Sequence, residues 1–309
     1  MAYRLVPDDD QPDQGRKPKR GRRARLATVA VLPTLMTLGN LLCGFAAVFL
    51  ASRPADSQLP WQWTPLTFAA AAIFLGMVFD GLDGRVARWT RSTSDLGEQL
   101  DSMADMVTFG VAPAFVAVQL VGIGTPFLSE GGEQLFDRVT LLIAGIYVAC
   151  VALRLARFNI EIEQPTESDH NSFKGLPSPG AAGTVASMVL LHEHFMVARE
   201  SNHWITFASS LLMVGVMLLA ALAMVGRLRY VHVVNRYIRG RAKFGSFAMV
   251  VVAVLLLFTA PQASVAAAFV IYALSAPVSW TLRKCASFTG RREGSDEHHE
   301  SDDRQKDVG

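Results

Sequence analysis

The sequence predicts an all-α, polytopic membrane protein: a bundle of about eight transmembrane helices with both termini in the cytoplasm. Three observations predict it. With 51% hydrophobic residues and a mean hydropathy of +0.28, the 309-residue chain is too apolar for an ordinary soluble protein. Its apolar residues gather in runs near the ~20 residues that cross a hydrocarbon core. Lys and Arg concentrate in alternate connections. Fully buried soluble helices would explain the runs but not the alternation.

Residues 1–28 form a basic arm, with Arg16, Lys17, Lys19, Arg20, Arg22, Arg23 and Arg25 among Pro, Asp, Gln and Gly, a mixture that cannot pack a core. The apolar stretch that follows is long and lacks a small-residue cleavage site, so it reads as an uncleaved first span. Attraction to anionic lipid accounts for the basic run, and no nucleic-acid partner is inferred. The membrane domain covers 29–285, and a polar, mixed-charge tail, expected to be disordered like the arm, covers 286–309.

The first span runs from Val31 to Ala51, and the second, from Thr64 to Gly84, ends in an acidic cluster. The third, Gly97 to Val121, is opened by Asp95 and Glu98, spaced as a capping pair. The fourth, Arg138 to Phe158, ends in basic residues, and the fifth, Ser178 to Val197, follows a Pro-rich entry. The sixth is Trp204 to Val225. The seventh, Phe244 to Ala260, and the eighth, Ser264 to Leu282, are joined around Pro261 as a helical hairpin.

Positive residues set the orientation. The arm, the loop with Arg85, Arg88 and Arg91, the connection with Arg154, Arg157 and Lys174, the stretch from Arg227 to Lys243 and the tail share one side. Opposite them, Ala51 to Trp63 holds only Arg53, Gly122 to Asp137 holds no Lys or Arg before Arg138, and Glu193 to His203 holds only Arg199. The basic side is the cytoplasmic one. Cys43, Cys150 and Cys285 stand singly, without metal or disulfide spacing, and read as small core residues.

At the basic side lie Asp80-Gly81-Leu82-Asp83-Gly84-Arg85-Val86-Ala87-Arg88 and Gly97-Glu98-Gln99-Leu100-Asp101-Ser102-Met103-Ala104-Asp105. Ionisable groups at the ends of membrane spans are costly and mark function. On a helix, Asp80, Asp83, Gly84 and Ala87 share one face, as do Gly97, Asp101 and Asp105 on the next. Four converging carboxylates need hard cations, and oxygen-only ligands suit Mg2+, Mn2+ or Ca2+. A two-metal phosphate site is the natural inference. Gly84, Ala87 and Gly97 allow close helix approach or a flat ligand against the backbone. Arg88 offers a forked donor to phosphate.

The pattern D-x2-D-G-x2-A-R-x8-G-x3-D-x3-D, with eight identities across 26 positions, resembles the signature of the CDP-alcohol phosphotransferases. The resemblance implies transfer of a phosphatidyl or similar group from a CDP-linked lipid to an alcohol, with release of CMP. It implies that Asp80, Asp83, Asp101 and Asp105 bind two Mg2+ or Mn2+ ions, that Asp105 is also the general base, and that Gly84, Ala87 and Arg88 hold the CDP moiety. Ser94 stands where related enzymes place a hydroxyl near the nucleotide phosphate, and equally where a helix entry would use one. Thr34 and Thr37, on one face of the first span, match the family's CDP-contacting first helix, or bond back to their own backbone.

The flanking segments, Arg154-Leu155-Ala156-Arg157-Phe158-Asn159 and Phe173-Lys174-Gly175-Leu176-Pro177-Ser178-Pro179, are similar to those of the bacterial membrane-embedded phosphatidylserine synthases within that family. That likeness implies CDP-diacylglycerol and L-serine as substrates, a homodimer, and residence in the inner (cytoplasmic) membrane among its lipids. Arg154 and Arg157, with Asn159 and Lys174, are the candidates for the acceptor pocket, since serine carries a carboxylate. A phosphorylated acceptor, glycerol 3-phosphate or inositol phosphate, would suit the same cations. An ion-coupled transporter would need acids near mid-span and internal repeats, which the sequence lacks.

Overall fold

The computed structural model describes residues 20–55, 57, 59, 60, 63–90, 95–123, 130–163, 173–198, 203–226, 229, 230, 259, 261–275, 278 and 279. Its helices are α1 (Arg20–Ala51), α2 (Pro65–Thr90), α3 (Asp95–Asp105), a π-helical segment (Met106–Val111), α4 (Ala112–Ile123), α5 (Glu130–Glu163), α6 (Ser178–Ala198), α7 (His203–Val225) and α8 (Pro261–Ser275). α3, the π segment and α4 form one continuous rod. A two-residue antiparallel ribbon, β1 (Phe173–Lys174) with β2 (Arg229–Tyr230), pairs Phe173 with Tyr230 and Lys174 with Arg229.

Five helices are long and apolar enough to cross a bilayer among the described residues: Leu32–Ala51, Pro65–Val86, Leu96–Gly122, Gly131–Ile160 and Trp204–Val225. These correspond to the expected first, second, third, fourth and sixth spans. The fifth is present as α6, but its Gly and Ser residues and the run His192-Glu193-His194 lower its hydropathy. The reason is position: residues 181–189 are buried without interruption, because α6 packs against α2, α4, α5 and α7. A helix enclosed by other helices does not need a lipid-facing surface. The eighth expected span is represented by the shorter Pro261–Ser275, and Phe244 to Ala260 lies outside the described residues, apart from Thr259. The tail from 286 onward and the arm before Arg20 lie outside them too. α1 begins at Arg20, within the segment assigned to the arm.

The core is built from small residues. Ala47, Ala69, Ala70, Ala112, Ala117, Ala181, Ala182 and Ala186 are buried, with Ile73, Phe109, Tyr147 and Val185 filling the gaps. Lipid is as apolar as the core, so helix association there depends on close backbone packing rather than on apolar burial. Conversely, Leu42 is 64% and Phe45 65% exposed on α1, and Leu141, Leu142, Leu212 and Leu222 are exposed on α5 and α7. Large apolar side chains facing outward on several helices suit a hydrocarbon surrounding.

At one end of the bundle lie the start of α1, the end of α2, the start of α3, the end of α5, the start of α6 and the end of α7. There Gly175, at φ +90°, lets the chain cross under the end of α7, where a Cβ would stand 2.4 Å from the Met224 carbonyl oxygen. The Leu176 N–H donates to the Ala223 carbonyl at 3.0 Å, so the entry to α6 is tied to the end of α7. At the opposite end, an apolar cavity of about 580 Å³ opens between α5 and α7 around Leu135, Phe136 and Phe207. The described residues that line it carry no polar side chain, which suits hydrocarbon.

Candidate active site

The two acidic segments meet because α2 and α3 are consecutive and reverse direction within four residues. The final turns of α2 carry Asp80 and Asp83, and α3 starts at Asp95, the expected capping position, carrying Asp101 and Asp105. Carboxylate oxygens of Asp80, Asp101 and Asp105 lie within 4.8 Å of one another. Asp83 is buried beside them and accepts a hydrogen bond from the Thr37 hydroxyl of α1. Glu98 adds its charge to the same region, within electrostatic reach of Asp101.

Such a donor set fits a hard divalent cation. Three carboxylates this close repel strongly unless a cation lies among them, and oxygens across an octahedral Mg2+ stand roughly 4 Å apart. The observed spread is close to that.

Asp105 ends α3 with regular helical backbone (φ −61°, ψ −39°), directly before the π segment, whose wider turn holds an extra residue and shifts the side chains that follow. Two groups hold that turn. The Tyr147 hydroxyl of α5 donates to the Phe109 carbonyl at 2.9 Å, and the Thr108 hydroxyl donates to the Asn40 carbonyl of α1 at 2.8 Å. Thr108 itself fills the junction of α1 and α2. A Cβ on Gly44 would stand 2.5 Å from its Oγ1 and 2.8 Å from its Cα, and one on Gly76 would stand 2.5 Å from its Cγ2. Asn40 also reaches the aspartates directly, its Nδ2 donating to Asp105 Oδ1 at 2.9 Å.

The expected site residues separate accordingly. Asp80, Asp101 and Asp105 come together, while Asp83 is bonded to Thr37 instead of joining their group. Among the described residues, no atom lies within 4 Å of where a Cβ on Gly84 would stand, so none of them packs closely against it there. Close packing of that kind is found at Gly44 and Gly76. Ala87 and Arg88 lie on α2, though their side chains are outside the described set, and Ser94 is outside the described residues altogether. Thr34 is half-buried on α1, while Thr37 is buried, bonded to Asp83 and 3.2 Å from the Pro33 carbonyl.

Of the acceptor candidates, Asn159 is bonded to α3. Its Nδ2 donates to Ser102 Oγ at 3.0 Å, and Ser102 follows Asp101, so the end of α5 is fixed beside α3. Arg154 and Arg157 are half-buried on the preceding turns, with Arg154 within electrostatic reach of Tyr272 of α8. Lys174 belongs to the ribbon at the same end. The sequence reading missed Asn40, Thr108 and Tyr147. The available signal was a polar residue three positions after Thr37 inside an apolar span, hence on the same helical face.

The chain is similar in sequence to known proteins. The family model described as CDP-alcohol phosphatidyltransferase matches residues 30–217. The chain is 31% identical over 248 residues to the CDP-diacylglycerol--serine O-phosphatidyltransferase of Helicobacter pylori strain 26695, covering 80% of this chain and 89% of that one. The protein of the same name from Bacillus subtilis strain 168 is 33% identical over 164 residues, 53% of this chain and 78% of the relative. The one from Saccharomyces cerevisiae is 42% identical over 120 residues, 38% of this chain and 39% of the relative.

Proposed function

Because the chain belongs to the CDP-alcohol phosphatidyltransferase family, we propose that it transfers the phosphatidyl group of CDP-diacylglycerol to the hydroxyl of L-serine, giving phosphatidylserine and CMP. The observation that carries the reading is the convergence of Asp80, Asp101 and Asp105, with Asp83 beside them, at one end of a bundle whose relatives bear that activity in their names.

Asp80, Asp83, Asp101 and Asp105 would hold two divalent cations, Mg2+ or Mn2+. Such ions neutralise a pyrophosphate and stabilise the charge that develops on the departing phosphate. Gly84, with nothing among the described residues within 4 Å of a Cβ there, together with Ala87 and Arg88, receives the CDP moiety; Thr34, Thr37 and Ser94 border it. Thr37 serves through Asp83, which its hydroxyl holds. The serine oxygen forms a bond to the lipid-side phosphorus, the P–O bond to CMP breaks, and the hydroxyl proton passes to Asp105, the general base. Arg154, Arg157 and Lys174 supply cations for the serine carboxylate, and Asn159 fixes the end of α5 on which the arginines stand.

In the cell we place the protein in the inner (cytoplasmic) membrane as a homodimer, with eight spans, both termini and the aspartates on the cytoplasmic side. The distribution of Lys and Arg supports that orientation. Acyl chains would stay in the bilayer while the head group and serine meet at its surface.

Purified protein with CDP-diacylglycerol and Mg2+ or Mn2+ is expected to release CMP with serine, to stop on chelation and to recover when the ion is restored. Glycerol 3-phosphate and inositol phosphate, offered separately, should give no release. CMP with only a phosphorylated acceptor would sink the serine assignment, and none with any acceptor would sink the enzyme. Gly84→Ala is a second check. With nothing among the described residues within 4 Å of the added methyl, its unfolding temperature should match the parent's. Its affinity for CDP should nevertheless fall roughly tenfold or more as the backbone loses its close approach to the ligand. Unchanged CDP affinity would remove Gly84 from the nucleotide site.

A further inference from the structure

Asn40 is fully buried in an apolar helix, and its atoms are used unevenly. Nδ2 donates to Asp105 Oδ1 at 2.9 Å, and the backbone carbonyl accepts from Thr108 at 2.8 Å. Its Oδ1 is buried with no hydrogen-bond partner among the described residues, and lies 3.0 Å from where a Cβ on Gly76 would stand. Leaving an amide oxygen unpaired in such a place is costly, and an apolar residue would fill the space without that cost. What the amide alone provides is a neutral donor aimed at Asp105.

Resting on the reading of Asp105 as cation ligand and base, the geometry points to Asn40 as a positioning residue for the reaction. It acts through Asp105, whose carboxylate it fixes toward Asp80 and Asp101. Two features make this orientation depend on α1. Asp105 is the last residue of α3, directly before the π segment. Asn40 grips the residues on both sides of that transition, Asp105 by its side chain and Thr108 by its carbonyl. One turn away on the same face, Thr37 bonds to Asp83, so a single helix steadies carboxylates from both α2 and α3. A neutral donor suits the place, because Lys or Arg would compete with the cations and Asp or Glu would add to the repulsion. Occupying Oδ1 also leaves the second oxygen of Asp105 open.

The test uses the full chain in detergent, with Asn40→Ala and the equal-sized Asn40→Asp. Mn2+ binding is followed by electron paramagnetic resonance without lipid or acceptor, alongside steady-state CMP release and thermal unfolding. Asn40→Ala should weaken Mn2+ binding by about 10–100-fold, the range found when a partner orienting a metal ligand is removed. Its kcat should fall by a similar factor while KM for CDP-diacylglycerol stays within about twofold, the split expected when ground-state binding survives. Asn40→Asp, which replaces the donor with an anion, should lose at least as much. Folded Asn40→Ala with parental Mn2+ affinity overturns the proposal, as does a parent chain that binds no Mn2+. If only Asn40→Asp folds, the same two readouts decide on it. Failure of both to fold overturns the proposal in favour of a packing role. A parent that binds Mn2+ but gives no CMP with serine counts against the acceptor assignment alone, since the Mn2+ readout does not involve serine.

Discussion

Asp105→Asn should lower the rate of CMP release by about three orders of magnitude, within the range that a positioned general base contributes. The substitution keeps the side chain's size, and its amide oxygen can still accept from Asn40, so α1 and α3 should remain in register. What disappears is a negative charge among the aspartates and the proton acceptor. Binding of CDP, measured by calorimetry in the presence of Mg2+, should be largely retained, because Asp80, Asp83 and Asp101 remain and the expected nucleotide edge lies on α2. Loss of folding instead would make Asp105 mainly structural, and a rate within tenfold of the parent would move the base elsewhere.

Gly44→Ala should destabilise the protein strongly. The added carbon would stand 2.5 Å from Thr108 Oγ1, 2.8 Å from its Cα and 3.0 Å from its backbone N. A flexible side chain could swing aside; two of these three atoms are backbone, in the π segment that Tyr147 and Asn40 hold in place. Overpacking of this kind costs about 1–3 kcal/mol, and the backbone contact puts it at the upper end. Thermal unfolding in detergent should show a clear drop. Activity should fall as well, because any separation of α1 from the π segment stretches the Asn40–Asp105 hydrogen bond. A parental unfolding temperature would mean that α1 can shift freely at this point, against the close packing described.

The acidic pair of segments was legible because its chemistry is written in one dimension. Spacing of three and four places the four aspartates on two helix faces, and the short polar link between the helices makes those faces meet. Apolar runs and basic connections were legible for the same local reason. Gly84 was harder. Its smallness allowed either helix contact or ligand contact, and the sequence could not choose; among the described residues nothing lies within 4 Å of a Cβ there. Gly44, by contrast, looks like any glycine of an apolar span, and only its approach to Thr108 reveals its use. α6 shows the converse difficulty. Its polar residues weaken it as a span by composition, yet they are tolerated inside the bundle, where His192 Nδ1 and Ser209 Oγ of α7 lie 2.8 Å apart.

By itself, then, the sequence determined that this chain is a helical membrane protein with a carboxylate cluster suited to hard cations, because helical periodicity and hydropathy act over neighbouring residues. The tertiary structure decided which residues steady that cluster. Asn40, Thr37, Thr108 and Tyr147 are separated from their partners by 38 to 68 positions. The direction of a carboxylate depends on hydrogen-bond donors that arrive from other helices, and no local pattern records where those helices will pack.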